Sequence, residues 1–254
     1  LKLVLENIEK MSFRYFDVGY PQVNFQDWSL AQWKKAESIF ECLQLRPVVL
    51  TINLPDLTSE YHQLRSGAVQ LLSKVLHIAS SLQVSVICVV INSCLSPSLN
   101  GILNGIAEMV KDVIPICQDL KIYLGFEIHP KGPIKNLQSV EFLMNKIPSS
   151  WMGFTLDTSL LTYFQIDLRE MIKILGDRLV NVHLRDVTDH DFFGIPGRGK
   201  IDFAGFFQML EEINYKGPFI IELFKTQENF GLSLESAIIE AKEFLESLLF
   251  DQRG

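Results

Sequence analysis

The sequence contains no apolar run of the ~20 residues a helix needs to cross a bilayer; its longest apolar runs are strand length. It also lacks any Lys/Arg run, and its net charge is −7. A surface of that sign repels nucleic acid and anionic lipid, which argues against a partner of either kind. Cysteine is scarce: Cys42, Cys88, Cys94 and Cys117 show no C-x-x-C spacing. That excludes a zinc ribbon or a dense disulfide framework and points to a reducing cytoplasm. No Pro/Ser-rich linker or shift of composition divides the chain, so residues 1–254 are read as a single domain. An initiator Met is missing as well, since the numbering opens at Leu1.

What the chain does have is a core. Hydrophobic residues make up 48% and charged residues 21%, a balance that suits a globular protein. Short segments rich in Val, Ile and Phe alternate with longer ones whose apolar positions recur at helical spacing. The strand candidates are Phe13–Tyr20, Pro47–Leu54, Val84–Asn92, Lys121–His129, Met152–Asp157, Leu179–Leu184 and Phe219–Phe224. Helices are expected over Leu1–Met11, Tyr61–Ser81, Leu103–Cys117, Val140–Ile147, Leu168–Leu175, Phe203–Ile213 and Leu232–Leu249. Strands alternating with helices imply an α/β fold with parallel pairing. The chain is read as a (β/α)8 TIM barrel whose first strand lies upstream of Leu1, outside this numbering; an open doubly wound sheet is the alternative.

Four consecutive strands carry a metal-type side chain at or near their C-terminal ends: Glu127, Asp157, His183 and Glu222. Singly, each reads as readily as a loop residue, a helix cap or a core histidine. Together they occupy the end of the strands where β/α barrels keep their sites. Alternation along a strand places Thr155 with Asp157 and Asn181 with His183. Three carboxylates gathered in a barrel mouth repel one another unless a cation joins them. Three carboxylates and an imidazole form a mostly hard donor set, suited to one divalent ion, Mn²⁺ first, with Mg²⁺, Co²⁺ or Zn²⁺ as alternatives.

Around these residues the chain resembles the sugar phosphate isomerase/epimerase family of the xylose-isomerase-like superfamily. The matching stretches are FEIHP at 126–130, FTLDT at 154–158, VHLRD at 182–186, PGRGKID at 196–202 and YKGPFIIEL at 215–223. The resemblance implies a metal held by Glu127, Asp157, His183 and Glu222. It further implies that Glu127 and Glu222 exchange a proton with the carbon beside a substrate carbonyl. Three positions depart from the family pattern. Leu160 stands where a His is usual, Asp189 where ketose epimerases carry an Arg, and Arg198 where an acidic residue is common between the glycines.

The expected activity is that of a metal-dependent sugar isomerase or epimerase acting on a small ketose-like or polyol-derived substrate. The alternatives are a metal-dependent dehydratase of the inosose or dehydroshikimate type, or a degenerate barrel without turnover. A nuclease fits least, because the chain has only five histidines. Three residues are candidates for substrate contact. His129 shares the face of Glu127, Arg185 shares that of His183, and Arg198 stands at the tip of the glycine-rich loop; each has a solvent or salt-bridge role as its alternative. Asp186 is expected to hold the following loop and Asp202 to cap the next helix. Phe192 and Phe193 are expected to form an apolar wall over the site or part of a contact between subunits of a homo-oligomer.

Overall fold

Short polar side chains start most of the helices. Ser29, Ser98, Asn136, Asp157, Asp167 and Asp202 each accept a hydrogen bond from a backbone N–H of the helix that follows. The bonds satisfy donors that a helix start leaves without partners. The computed structural model describes residues 2–19, 28–59, 61–93, 98–224 and 231–251. Among them are nine helices and seven strands, and the strands lie parallel in chain order.

By backbone packing the chain divides into two compact units, Leu1–Thr155 and Leu156–Gly254. In the first unit, α1 (Lys2–Lys10) leads to β1 (Tyr15–Gly19), α2 (Leu30–Cys42), β2 (Arg46–Asn53), α3 (His62–Ser81), β3 (Val86–Val90), α4 (Leu99–Leu120), β4 (Tyr123–Glu127) and α5 (Leu137–Lys146). It also holds most of β5 (Met152–Asp157), since the boundary cuts that strand after Thr155. Every residue of β3 is buried, the pattern of a parallel strand covered on both faces. Helix α3 buries Ala68, Leu72, Val75, Leu76 and Ala79, a stripe at helical spacing. A fully buried Leu of this kind contributes about 1.5–3 kcal/mol over an exposed one. Helix α4 stops at Lys121, whose φ of 57° lies in the left-handed region. The register pairs Leu124 with Met152 and Glu127 with Thr155, which sets where β4 and β5 end.

The second unit continues with α6 (Thr158–Tyr163), α7 (Leu168–Leu175), β6 (Leu179–Leu184), α8 (Phe203–Glu212), β7 (Phe219–Ile221) and α9 (Leu234–Asp251). Strand β6 is buried along its whole length, and its Val182, His183 and Leu184 pair with Phe219, Ile220 and Ile221 of β7. Its core includes Phe203, Phe206 and Phe207 of α8, and a cluster of Ile195, Leu223, Ala237 and Ala241.

The loop from β6 to α8 is built around one carboxylate. Asp186 is fully buried. Its Oδ1 accepts from the N–H groups of Val187 (2.8 Å) and Ile201 (3.0 Å), and its Oδ2 from those of Gly197 (3.0 Å) and Gly199 (2.9 Å). The glycines are required for this wrapping. Gly197 has φ +91°, and a Cβ there would lie 2.7 Å from the Phe244 ring; one on Gly199 would lie 2.4 Å from Asp186 Oδ1. Asp202 caps α8 as expected, accepting from Gly205 N–H at 3.0 Å.

All seven expected strands are present, and the outer limit of the first, Tyr20, lies outside the described residues. Two helices, α2 and α6, were not expected. Helix α4 starts at Leu99 rather than Leu103 because Ser98 caps it. Cys88 and Cys117 are buried, and burial pushes the Cys117 thiol up to about 12. Cys94 lies outside the described residues. No helix among the described residues is long and apolar enough to cross a membrane.

Candidate metal centre

Asp157 ends β5 and starts α6, and the two roles fall on different oxygens. Oδ1 accepts from Ser159 N–H (2.9 Å), Ser159 Oγ–H (2.8 Å) and Leu160 N–H (2.9 Å). Oδ2 accepts from Arg185 Nε–H at 2.9 Å and also from Arg185 Nη2. The residue is fully buried. Leu160 is buried and contributes its backbone N–H to this cap.

His183 lies in β6, buried, with Nδ1 3.4 Å from Glu222 Oε2 and Nε2 3.0 Å from the Asn181 amide nitrogen. Glu222 follows β7 directly, and its N–H donates to Leu184 O, which extends the ladder to that residue. Its side chain keeps 24% exposure. Burial pushes the Glu222 carboxyl up, but His183 and Arg185 beside it more than reverse this and hold it at about 2, well below its ordinary 4.5. Glu127 is buried at the end of β4. Its register partner is Thr155, and Asp157 is the second residue beyond Thr155 on the same strand. One ligand atom from each of Glu127, Asp157, His183 and Glu222 lies within 4.8 Å of every other.

Arg185 is the basic member of this group. It is buried, its Nε lies 3.5 Å from Glu222 Oε2, and its guanidinium carbon sits 5.6–5.9 Å from the ring centres of Phe192, Phe193 and Phe224. Thr158 fixes its backbone, accepting from Arg185 N–H (3.1 Å) and donating to Arg185 O (2.6 Å). Phe192 packs on Phe193 (4.4 Å between ring centres) and on Tyr163 (5.1 Å), forming an aromatic wall around the guanidinium. Two polar atoms on the same strands, Thr155 Oγ1 and Asn181 Oδ1, are buried and make no hydrogen bond among the described residues.

The other residues singled out in the sequence are placed as follows. His129 is half-buried, and its Nδ1 accepts from Lys131 N–H at 3.2 Å. Arg198 forms a two-pronged ion pair with Glu240 of α9, with Nη2 2.6 Å from Oε2. Asp189 pairs with Lys200, which holds its carboxyl below the usual range. Sequence reasoning missed the partnership of Arg185 with Asp157 and the inclusion of Tyr163 and Phe164 in the aromatic wall. Strand parity had put Arg185 on the face of His183, but its partner stands 28 residues away.

A family model described as Xylose isomerase-like TIM barrel matches residues 5–248. The chain belongs to this family. Among relatives, the chain is 29% identical over 126 residues to inosose dehydratase of Geobacillus kaustophilus, covering 42% of this chain and 41% of that protein. It is 27% identical over 134 residues to the putative L-ribulose-5-phosphate 3-epimerase SgbU of Escherichia coli, covering 50% of this chain and 46% of that protein. The matched region thus spans about half the length of these curated relatives or less. D-psicose 3-epimerase from Clostridium cellulolyticum H10, solved with D-tagatose, has the same fold, with a TM-score of 0.84 at 16% identity over 98% of this chain and 93% of that one.

Proposed function

We propose that this xylose isomerase-like barrel is a divalent-metal-dependent sugar isomerase or epimerase. In this reading it moves a proton on the carbon next to the carbonyl of a ketose-like or polyol-derived substrate. The observation that carries the proposal is the convergence of the Glu127, Asp157, His183 and Glu222 ligand atoms within 4.8 Å. The residues fit a divalent ion. The donors are three carboxylates and an imidazole, and the three carboxylates with the Arg185 guanidinium leave a formal charge of −2. We assign all four as ligands, with Mn²⁺ as the first choice and Mg²⁺, Co²⁺ or Zn²⁺ as alternatives. When bound, such an ion polarises the substrate carbonyl and acidifies the neighbouring C–H.

Glu222 and Glu127 are the proton-transfer pair in this proposal. His183 and Arg185 keep Glu222 ionised at neutral pH, so it can accept a proton. Its partial exposure lets a substrate reach it. Glu127, buried at the end of β4, is the second carboxylate and returns the proton. His129 remains the candidate for substrate contact near Glu127. Arg198 is assigned to the ion pair with Glu240 instead. The net charge of −7 fits a small-molecule substrate rather than nucleic acid.

A second reading, a metal-dependent dehydratase, is favoured by the 29% identity to inosose dehydratase. It shares the first proton abstraction and differs in the departure of a hydroxyl. The test is incubation of the Mn²⁺-supplemented protein in D₂O with a panel of ketoses, ketose phosphates and inosose, read by mass spectrometry and NMR. Deuterium beside the carbonyl in an epimer or isomer of unchanged skeleton supports the first reading. A product lighter by one water supports the second. No exchange with any member of the panel would return the chain to a barrel without turnover.

A further inference from the structure

Asp157 has no lone pair to spare. Its two oxygens take three bonds from the start of α6 and two from the Arg185 guanidinium, which exceeds the roughly four acceptor sites of a carboxylate. The Oδ1 bonds cap α6, and giving them up costs the helix start about 0.5–2 kcal/mol. An ion that binds Asp157 while the cap stays in place takes Oδ2, the oxygen that Arg185 holds.

We propose that Arg185 is the resident cation of this centre, competing with the divalent ion for Asp157 Oδ2 and setting the affinity of the site. The inference rests on the metal reading above and adds a role for a residue outside the ligand quartet. Arg185 is suited to an exchange of this kind. Its backbone is fixed on both sides by Thr158, so only the side chain moves. The guanidinium already lies against Phe192, Phe193 and Phe224, and its Nε is 3.5 Å from Glu222 Oε2. Leaving Asp157 thus does not strand a buried charge, because aromatic faces attract a guanidinium. With Arg185 in place, the metal-free protein avoids the cost of two neighbouring unpaired carboxylates. The consequence is a protein that stays folded without metal and takes up the ion reversibly.

The experiment measures Mn²⁺ binding by calorimetry, together with melting temperature with and without Mn²⁺, for the whole chain and for Arg185→Met and Arg185→Lys. Arg185→Met is expected to bind Mn²⁺ at least ~10-fold more tightly, since the coupling between two competing occupants of a site is commonly of that size and reciprocal. Its metal-free form should melt lower than wild type, and Mn²⁺ should raise its melting temperature more. Arg185→Lys keeps the charge but loses the fork, so its affinity should fall between the two; it also serves if the Met variant does not fold. Affinity in either variant equal to or weaker than wild type would overturn the role of Arg185 and leave the metal reading intact. No binding in wild type or variants would overturn both.

Discussion

The first three strands and the last four end differently. β1, β2 and β3 end at Gly19, Asn53 and Val90, residues with little chemistry to offer. β5 ends at Asp157, β6 carries His183 one residue from its end, and Glu222 follows β7 directly. The cores of the two halves are alike in kind, since β3, β5 and β6 are each buried along their whole length. Burial of strands therefore specifies the repeat throughout, while the candidate ligands fall only on the later strands, from Glu127 at the end of β4 onward. The polar residues of the second half also hold the backbone: Asp157 starts a helix and Asp186 holds a loop.

The sharpest way to break this contrast is to remove a polar residue that is purely architectural. Asp186→Ala would leave four backbone N–H groups without their acceptor. With unsatisfied buried donors costing about 1–3 kcal/mol each and some recovering water, a loss of about 4 kcal/mol is expected. Urea unfolding measures it; a loss under ~1 kcal/mol would show that the loop does not depend on this carboxylate. Next comes Glu222→Gln, which keeps size but loses charge and basicity. Deuterium exchange into substrate should fall by more than ~100-fold with the far-ultraviolet spectrum unchanged. At the tip of β2, by contrast, Asn53→Ala should leave exchange within ~2-fold, the range expected away from a site.

Much of this contrast was legible in the sequence. The seven strands could be read because buried parallel strands are near-continuous Val/Ile/Phe runs, and the quartet because its members close four successive runs. Helix α2 escaped notice although Ser29 and Gln32 form a capping box, a pattern visible as S-x-x-Q. Helix α6 was missed because it is a six-residue turn begun by Asp157, a residue already read as a ligand. The pairings of Arg185 with Asp157 and of Arg198 with Glu240 join residues 28 and 42 positions apart. No local periodicity carries that information; it comes from strand order and helix packing.

Two smaller effects sharpen the comparison further. The Glu222 carboxyl is depressed in the folded state, so its contribution to stability is fully present above about pH 4.5 and is lost as the pH falls toward about 2. Wild-type stability should fall across that window more steeply than that of Glu222→Gln, as urea unfolding at a series of pH values would show; parallel slopes would remove Glu222 from the account. Arg198→Ala should cost under ~1 kcal/mol, because its pair with Glu240 lies at the surface and is screened. A thermal melt in low and high salt would show the difference shrinking as salt rises.

The proposed divalent-metal site at the ends of β4 to β7 is open to a direct check. Its most direct test is a crystal of the protein grown with Mn²⁺ and measured for anomalous scattering. One strong peak is expected within ~2.0–2.4 Å of side-chain atoms of Glu127, Asp157, His183 and Glu222, with Arg185 turned away from Asp157 Oδ2. A peak bound by other residues, or no peak at saturating Mn²⁺ with the Arg185–Asp157 pair intact, would contradict it.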